Sequence, residues 1–195
     1  LVKGSNYLEL MAGCDTVVFD KTGTLTKGIF KVSKINAKVD NIEVLKTATV
    51  AEIYSNHPIA KSIKDELKIL DMKSYLDIEK RQNEIKVQEI HGKGIKAELD
   101  GSEILAGNEK LMQEFSINYE KAEGAATVIY VAIDRNYIGY ALIEDQIKET
   151  SKDTIKELKK LGVKRTVMLT GDRKEIADKI AKELALDDVY SELLP

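Results

Sequence analysis

Apolar residues recur along this chain with two different periods, and the two periods fall in different parts of it. Near the start, Tyr7, Leu8, Leu10 and Met11 have the spacing of a short helix that Gly13 would end, and Thr16 to Phe19 read as a short buried strand. Val44, Leu45, Ala48, Ala51 and Ile53 predict a helix. Pro58 opens a second one, at the position a proline tolerates best, and Ile59, Ile63, Leu67 and Leu70 then line one face. Alternation follows, first at Ile85, Val87 and Glu89, then at Ile95, Ala97 and Leu99. Asp100-Gly101 is a hairpin turn ahead of Ile104 and Leu105. Val128 to Ile133 and Tyr137 to Ile143 flank Asp134-Arg135-Asn136 as a second hairpin. The helical period then returns. Ile155, Leu158 and Leu161 mark a helix that Gly162 would stop, and Val167-Met168-Leu169 a strand. Thr170-Gly171-Asp172 leads into a helix with Ile176, Ile180 and Leu184 on one face, and Val189-Tyr190 is a further short strand.

The two ends of the chain therefore read as pieces of one parallel α/β domain, spanning 1–30 and 144–195. The stretch 31–143 reads as an α+β domain with an antiparallel sheet, inserted between them. No internal repeat or low-complexity tract interrupts this order.

Composition narrows the classes of function. The 195 residues are 43% hydrophobic and 32% charged, the balance of a globular protein. The net charge of -3, with mixed signs along the chain, offers no basic surface for nucleic acid. Cys14 is the only cysteine, so no intrachain disulfide forms; it is expected to be a small buried hydrophobe, and a reducing compartment fits. No stretch reaches the roughly 18 to 20 apolar residues of a membrane helix. The longest apolar region, Val128 to Ile143, is interrupted by Asp134, Arg135 and Asn136, and the first residues lack the pattern of a signal peptide.

The chemistry concentrates at Asp20-Lys21-Thr22-Gly23-Thr24-Leu25-Thr26, directly behind Val17-Val18-Phe19. A strand that ends in a carboxylate and turns on a glycine presents that carboxylate where ligands bind an open α/β sheet. Asp20 is thereby placed to attack a phosphoryl group and form an aspartyl-phosphate. Thr22, Gly23 and Thr24 add backbone N–H groups and hydroxyls for phosphate oxygens. Thr170-Gly171-Asp172 is a plain turn by itself. In the same half of the fold as Asp20, its threonine hydroxyl becomes a second phosphate element, and Asp172 either caps the next helix or meets a nucleotide.

These residues resemble a family. Asp-Lys-Thr-Gly-Thr is the phosphorylation signature of the P-type cation-transporting ATPases, whose phosphorylation domain belongs to the haloacid dehalogenase superfamily. The resemblance implies a split α/β, haloacid-dehalogenase-like phosphorylation domain carrying an inserted nucleotide-binding domain, with Asp20 taking the γ-phosphoryl of ATP and Lys21 and Thr22 catalytic beside it. It implies that Thr170 contacts phosphate and that Asp172 lies near the nucleotide. Ser55-Asn56-His57-Pro58 is similar to the His-Pro pair of the heavy-metal branch, in which the histidine orients the adenine. Glu52 matches that branch's pocket glutamate; Asn56 stands where the branch commonly has Glu. Gly92-Lys93-Gly94 matches a Gly-x-Gly that passes the nucleotide phosphates, and Gly107-Asn108 a Gly-Asn pair of the same pocket. Asp145 and Lys148 resemble the hinge where the chain re-enters the phosphorylation domain, or form a solvated helix-start pair.

The resemblance also implies Mg²⁺, with Asp20 and the Thr22 backbone carbonyl as ligands. A third ligand would come from a Gly-Asp-Gly loop that does not occur before Pro195, so weak Mg²⁺ binding and little or no turnover are expected. The chain is then the cytoplasmic part of an integral membrane pump. Membrane helices, the actuator domain and the transported cation's site lie outside it. Thr26-Lys27-Gly28, Arg173 and Glu192-Leu193-Leu194-Pro195 resemble the zinc/cadmium/lead pumps more than the copper pumps, which remain an alternative. A soluble haloacid-dehalogenase-type phosphatase is another. Such enzymes usually carry a second Asp where Thr22 stands, which argues against fast hydrolysis. A pure nucleotide-binding module is the third.

Overall fold

The computed structural model describes residues 4–123 and 126–193, so Leu194 and Pro195, part of the terminal motif above, lie outside the described residues. Two compact units emerge, Leu1–Gly28 with Asp145–Pro195, and Ile29–Glu144. Each has its own sheet.

In the first unit, helix α1 (Ser5–Ala12) precedes β1 (Thr16–Asp20), and the chain re-enters at α6 (Glu149–Lys160), β8 (Arg165–Leu169), α7 (Lys174–Leu184) and β9 (Asp188–Tyr190). The strands form a parallel sheet in the order β1-β8-β9. The register places Asp20 opposite Leu169, so Lys21 and Thr170 leave the sheet side by side. Phe19, Met168 and Val189 pack with Ile155 of α6 and with Ala177, Ile180, Ala181 and Leu184 of α7.

Three expectations fail here. Val18 is 55% exposed, so β1 is not a buried strand: it is the outer strand of a sheet whose described helices pack on Phe19's side. Cys14 is exposed, because it follows the end of α1, whose Tyr7, Leu10 and Met11 are themselves exposed. Leu161 caps the C-terminus of α6 and is also exposed; the buried positions of that helix are Ser151 and Ile155.

The second unit is built on a six-stranded sheet in the order β2-β7-β6-β5-β4-β3. Its strands are β2 (Thr26–Ala37), β3 (Lys86–Ile90), β4 (Gly94–Leu99), β5 (Ser102–Gly107), β6 (Thr127–Ile133) and β7 (Asn136–Ile147). β2 and β7 carry the chain from one unit to the other. The hairpins expected at Asp100-Gly101 and after Ile133 are present, with left-handed Asp100, Gly101, Asp134 and Arg135. That double positive φ is the geometry of a two-residue turn between twisted strands.

Helices α2 (Asn41–Ala51), α3 (Pro58–Leu70) and α4 (Met72–Lys80) bury Val44, Leu45, Ala48, Ile63, Leu67 and Ile78 against one sheet face. The other face holds Tyr130, Tyr137, Tyr140 and Leu105 under α5 (Glu109–Glu114). The periodicity did not expose β2, α4 or α5. β2 shifts its half-buried positions from Phe30 and Val32 to Ile35 and Ala37, which breaks a period of two. α5 is too short for its period to register.

The turn before β9 is tied down by Asp187, whose carboxylate accepts hydrogen bonds from the N–H and hydroxyl of Thr166 and from Lys159. These bonds, Lys159 first, hold the carboxyl at about 2, below its ordinary value of 3.8. The unfolded chain therefore takes up this proton first, and the stabilisation is complete above about pH 4. It should be lost as pH falls from there toward 2. Acid titration of stability should show a shallower fall for Asp187→Asn than for the wild type; equal slopes would refute the assignment.

Candidate active site and nucleotide pocket

Asp20 is exposed at the end of β1, as a nucleophile must be, while the next residue is not: Lys21 is 3% exposed. Its ammonium lies 2.7 Å from Asp172 Oδ2 and 3.7 Å from Asp145 Oδ2. Thr26, also buried, completes the knot. Its hydroxyl lies 2.6 Å from Asp145 Oδ2 and 3.0 Å from the Lys21 carbonyl. It has one proton, which goes to the nearer, charged acceptor. The same oxygen accepts the Gly23 N–H at 3.3 Å, and the Thr26 N–H donates to the Lys21 carbonyl. From outside, Lys148 Nζ donates to the Gly23 carbonyl at 2.6 Å, and Ser151 Oγ donates to the Leu25 carbonyl at 2.8 Å. The Lys21–Leu25 loop is thus fixed through its carbonyls and the Gly23 N–H. The side chains of Thr22 and Thr24 are left outward, and both residues are exposed.

Thr170 is buried, and its hydroxyl oxygen accepts the Asp172 N–H at 3.1 Å, which leaves the hydroxyl proton free to donate. Asp172 does not cap α7. Arg173 occupies the N-cap, and the Asp172 carboxylate is turned to Lys21. Asp145 Oδ1 and Asp172 Oδ2 are buried without a hydrogen-bond partner, although Oδ2 pairs with Lys21 by charge. Asp145 and Lys148 are therefore not a solvated pair: the first is buried in the knot, and the second holds the loop. Sequence reasoning gave Thr26 no role. Its role rests on the burial of Lys21 and Asp145 beside it, which only the structure shows.

Asp20 and the Thr22 carbonyl supply two oxygens suited to Mg²⁺, an ion that takes one or two carboxylates and completes its shell with water and phosphate. Among the described residues no group of three His, Cys, Asp or Glu could hold a metal by itself.

In the second unit, Glu52 and His57 bracket the loop between α2 and α3. Glu52 is buried, and that burial pushes its carboxyl above the ordinary range; a hydrogen bond from Ser55 and the charge of Lys64 oppose it, and Glu89 adds to it. His57 is the N-cap of α3: its Nδ1 accepts the Ile59 N–H at 3.3 Å. Neutral His57 then carries its proton on Nε2, an exposed donor.

Asn108 uses both ends of its amide. Oδ1 accepts from the N–H groups of Lys110 and Leu111 and caps α5, and Nδ2 donates to the Gly92 carbonyl at 2.9 Å. The two glycines of the turn have different jobs. A Cβ on Gly94 would lie 2.4 Å from the Ala106 carbonyl oxygen and 2.5 Å from Gly107 Cα, and the two strands could not pair. A Cβ on Gly92 would meet nothing within 4 Å, so only its φ of 69° asks for glycine.

Comparison with known proteins establishes the family and the fold. The model of the haloacid dehalogenase-like hydrolases matches residues 14–194, and the chain belongs to that family. Within it, the resemblance read from Asp20 to Thr26 is borne out. The whole chain is 43% identical to 27% of the cadmium, zinc and cobalt-transporting ATPase of Bacillus subtilis (strain 168). It is 42% identical to 26% of the zinc-transporting ATPase of Synechocystis sp. (strain ATCC 27184 / PCC 6803 / Kazusa). The chain therefore spans about a quarter of the length of these relatives. Among solved structures, a zinc-transporting PIB-type ATPase in its E2.Pi state superposes with a TM-score of 0.75 at 28% identity, over 100% of this chain and 32% of that one. The catalytic domain of the CPx-ATPase CopB-B gives 0.72 at 28% identity, over 99% of this chain and 67% of that one.

Two outcomes follow. Lys21→Met leaves Asp145 and Asp172 without their shared cation and should cost about 3 kcal/mol, read by denaturant unfolding; a loss below about 1 kcal/mol would mean the knot is not a structural element. Gly94→Ala should cost more than about 3 kcal/mol, whereas Gly92→Ala, which meets only the left-handed penalty, should cost about 1 to 2 kcal/mol. Thermal melts of the two variants would decide this, and equal losses would contradict the division of labour.

Proposed function

We propose that this chain is the ATP-binding and phosphoryl-accepting portion of a heavy-metal-exporting P-type ATPase, the cytoplasmic part of a membrane protein. The observation that carries the reading is the contrast at the end of β1: an exposed Asp20 on a loop whose next residue, Lys21, is buried and ion-paired. A nucleophile must reach its substrate, and its carrier must not move. The unit Leu1–Gly28 with Asp145–Pro195 serves as the phosphorylation domain, and Ile29–Glu144 as the nucleotide-binding domain. No helix among the described residues is long and apolar enough to cross a membrane. The membrane helices and the actuator domain are partners of the complete pump, and the cation is bound by them; the relatives' names favour zinc, cadmium or cobalt.

In this mechanism one carboxylate oxygen of Asp20 attacks the γ-phosphorus of ATP. The new O–P bond forms as the bond to the β,γ-bridging oxygen breaks, and ADP leaves with that electron pair. Thr170 donates its hydroxyl proton to a phosphoryl oxygen, and the outward Thr22 and Thr24 serve the others, the Gly23 N–H being held by Thr26. Lys21 positions the loop through Asp145 and Asp172 and does not touch phosphate. Mg²⁺, when bound at Asp20 and the Thr22 carbonyl, neutralises phosphate charge. With Thr22 at the usual place of a general acid, no group there activates water against the aspartyl-phosphate, which persists.

The adenine is read by the Nε2–H of His57 and the buried carboxyl of Glu52. Gly92 and Gly94 let the phosphates pass, and Asn108 holds the turn that does so. Calorimetric titration of ATP into the chain should show binding that falls at least about tenfold in His57→Gln, the scale of one lost hydrogen bond from a site that reads a base. It should change little with Mg²⁺. Label from γ-labelled ATP, if it transfers, should appear on wild type and not on Asp20→Asn. Binding indifferent to His57 would sink the pocket assignment and favour the phosphatase.

A further inference from the structure

The loop that carries Glu52 and His57 has little backbone bonding of its own. Ser55 N–H reaches the Glu52 carbonyl at 3.0 Å, and His57 N–H reaches Ser55 Oγ at 3.3 Å. Tyr54 sends its hydroxyl away to the Gln82 carbonyl at 2.6 Å. Two carbonyls in the middle of the loop are bonded by one side chain from the second turn of α3. Lys64 Nζ donates to the Ser55 carbonyl at 2.7 Å and the Ile53 carbonyl at 3.4 Å. The ammonium is half-buried, and burial, the largest cause, lowers it below the ordinary lysine range; the charge of Glu52 works in the opposite direction. A lysine that gives up solvent to bond carbonyls is holding backbone in place.

We propose that Lys64 is a positioning residue for the base-reading pocket: it tethers the loop from Glu52 to His57 through two carbonyls, without touching the nucleotide. This rests on the pocket reading above. Because the loop meets the base and the Gly92 turn meets the phosphates, losing the tether weakens adenosine and ATP alike.

The test compares Lys64→Met and Lys64→Arg with the wild type and His57→Gln, in the 195-residue chain. Met retains the apolar stem, and Arg can bond both carbonyls. Adenosine and ATP affinities should each fall about tenfold in Lys64→Met, the scale of a charge-assisted hydrogen bond, with their ratio preserved. Amide hydrogen exchange of residues 53–57 should speed up in the nucleotide-free protein, and Lys64→Arg should restore both. If Lys64→Met does not fold, Lys64→Gln carries the same comparison. Unchanged affinity, a loss confined to ATP, or a loss with no faster exchange in the loop would each overturn the proposal alone, provided His57→Gln behaves as expected. A wild type that binds adenosine no better than His57→Gln would overturn the pocket reading, and this proposal with it.

Discussion

A single ammonium group joins three segments that are far apart in the chain. Lys21 Nζ pairs with Asp172, at the end of β8, and with Asp145, in β7, while the Lys21 backbone carbonyl is bonded by Thr26. A buried cation costs several kcal/mol of desolvation unless acceptors surround it, and here two carboxylates do. Because the charge can be satisfied in only one arrangement of the three segments, the arrangement is specific. The exposed Asp20, one residue away, inherits that precision, and so does the Lys21–Leu25 loop. The parallel register of β1 and β8, with Asp20 beside Leu169, then places Thr170 next to it.

The second unit meets the same requirement with weaker, more numerous ties. Its core is apolar on both faces of the sheet, with Leu45, Ile63 and Leu67 on one side and Tyr130, Tyr137 and Tyr140 on the other. That core fixes the sheet and the helices but not the loops between them. Each loop carrying a candidate nucleotide residue is held by a polar side chain from a neighbouring element. Asn108 holds the Gly92 turn and caps α5, His57 caps α3 with its inward nitrogen, and Lys64 bonds the carbonyls ahead of His57. In two of these three cases the residue expected to meet ligand is itself the structural tie. A polar side chain can serve both purposes when it has two separate hydrogen-bonding ends, and Asn and His do.

Asp20, Thr22, Thr170, His57, Glu52 and the Gly92-Lys93-Gly94 turn could be picked out as candidates because each sits in a short contiguous motif at the end of an element whose period the chain displays. The order of strands and helices was legible for the same reason, and so was the split of an α/β frame around an antiparallel insert. The exposure of Val18 and Cys14 was not. Period says which residues share a face, and it is silent on whether another layer covers that face. The irregular strand β2 and the short helices α4 and α5 escaped because local period is weak where bulges, caps and neighbours decide conformation.

What the sequence determined by itself is therefore local. It set the two textures of the chain, the glycines and prolines that punctuate it, and the carboxylate that ends β1. Tertiary structure alone decided the partners. Nothing in the spacing of Lys21, Asp145 and Asp172, which lie about 150 residues apart at the extreme, announces an ion pair. Nor does it announce that Lys21 turns inward while Asp20 turns out. Gly94 is required by Ala106 and Gly107 on the adjacent strand β5, and Gly92 only by its own backbone angle. The physical reason is range. Propensity and period act within a few residues, whereas desolvated charges and close backbone contacts are satisfied by whatever the fold brings alongside them.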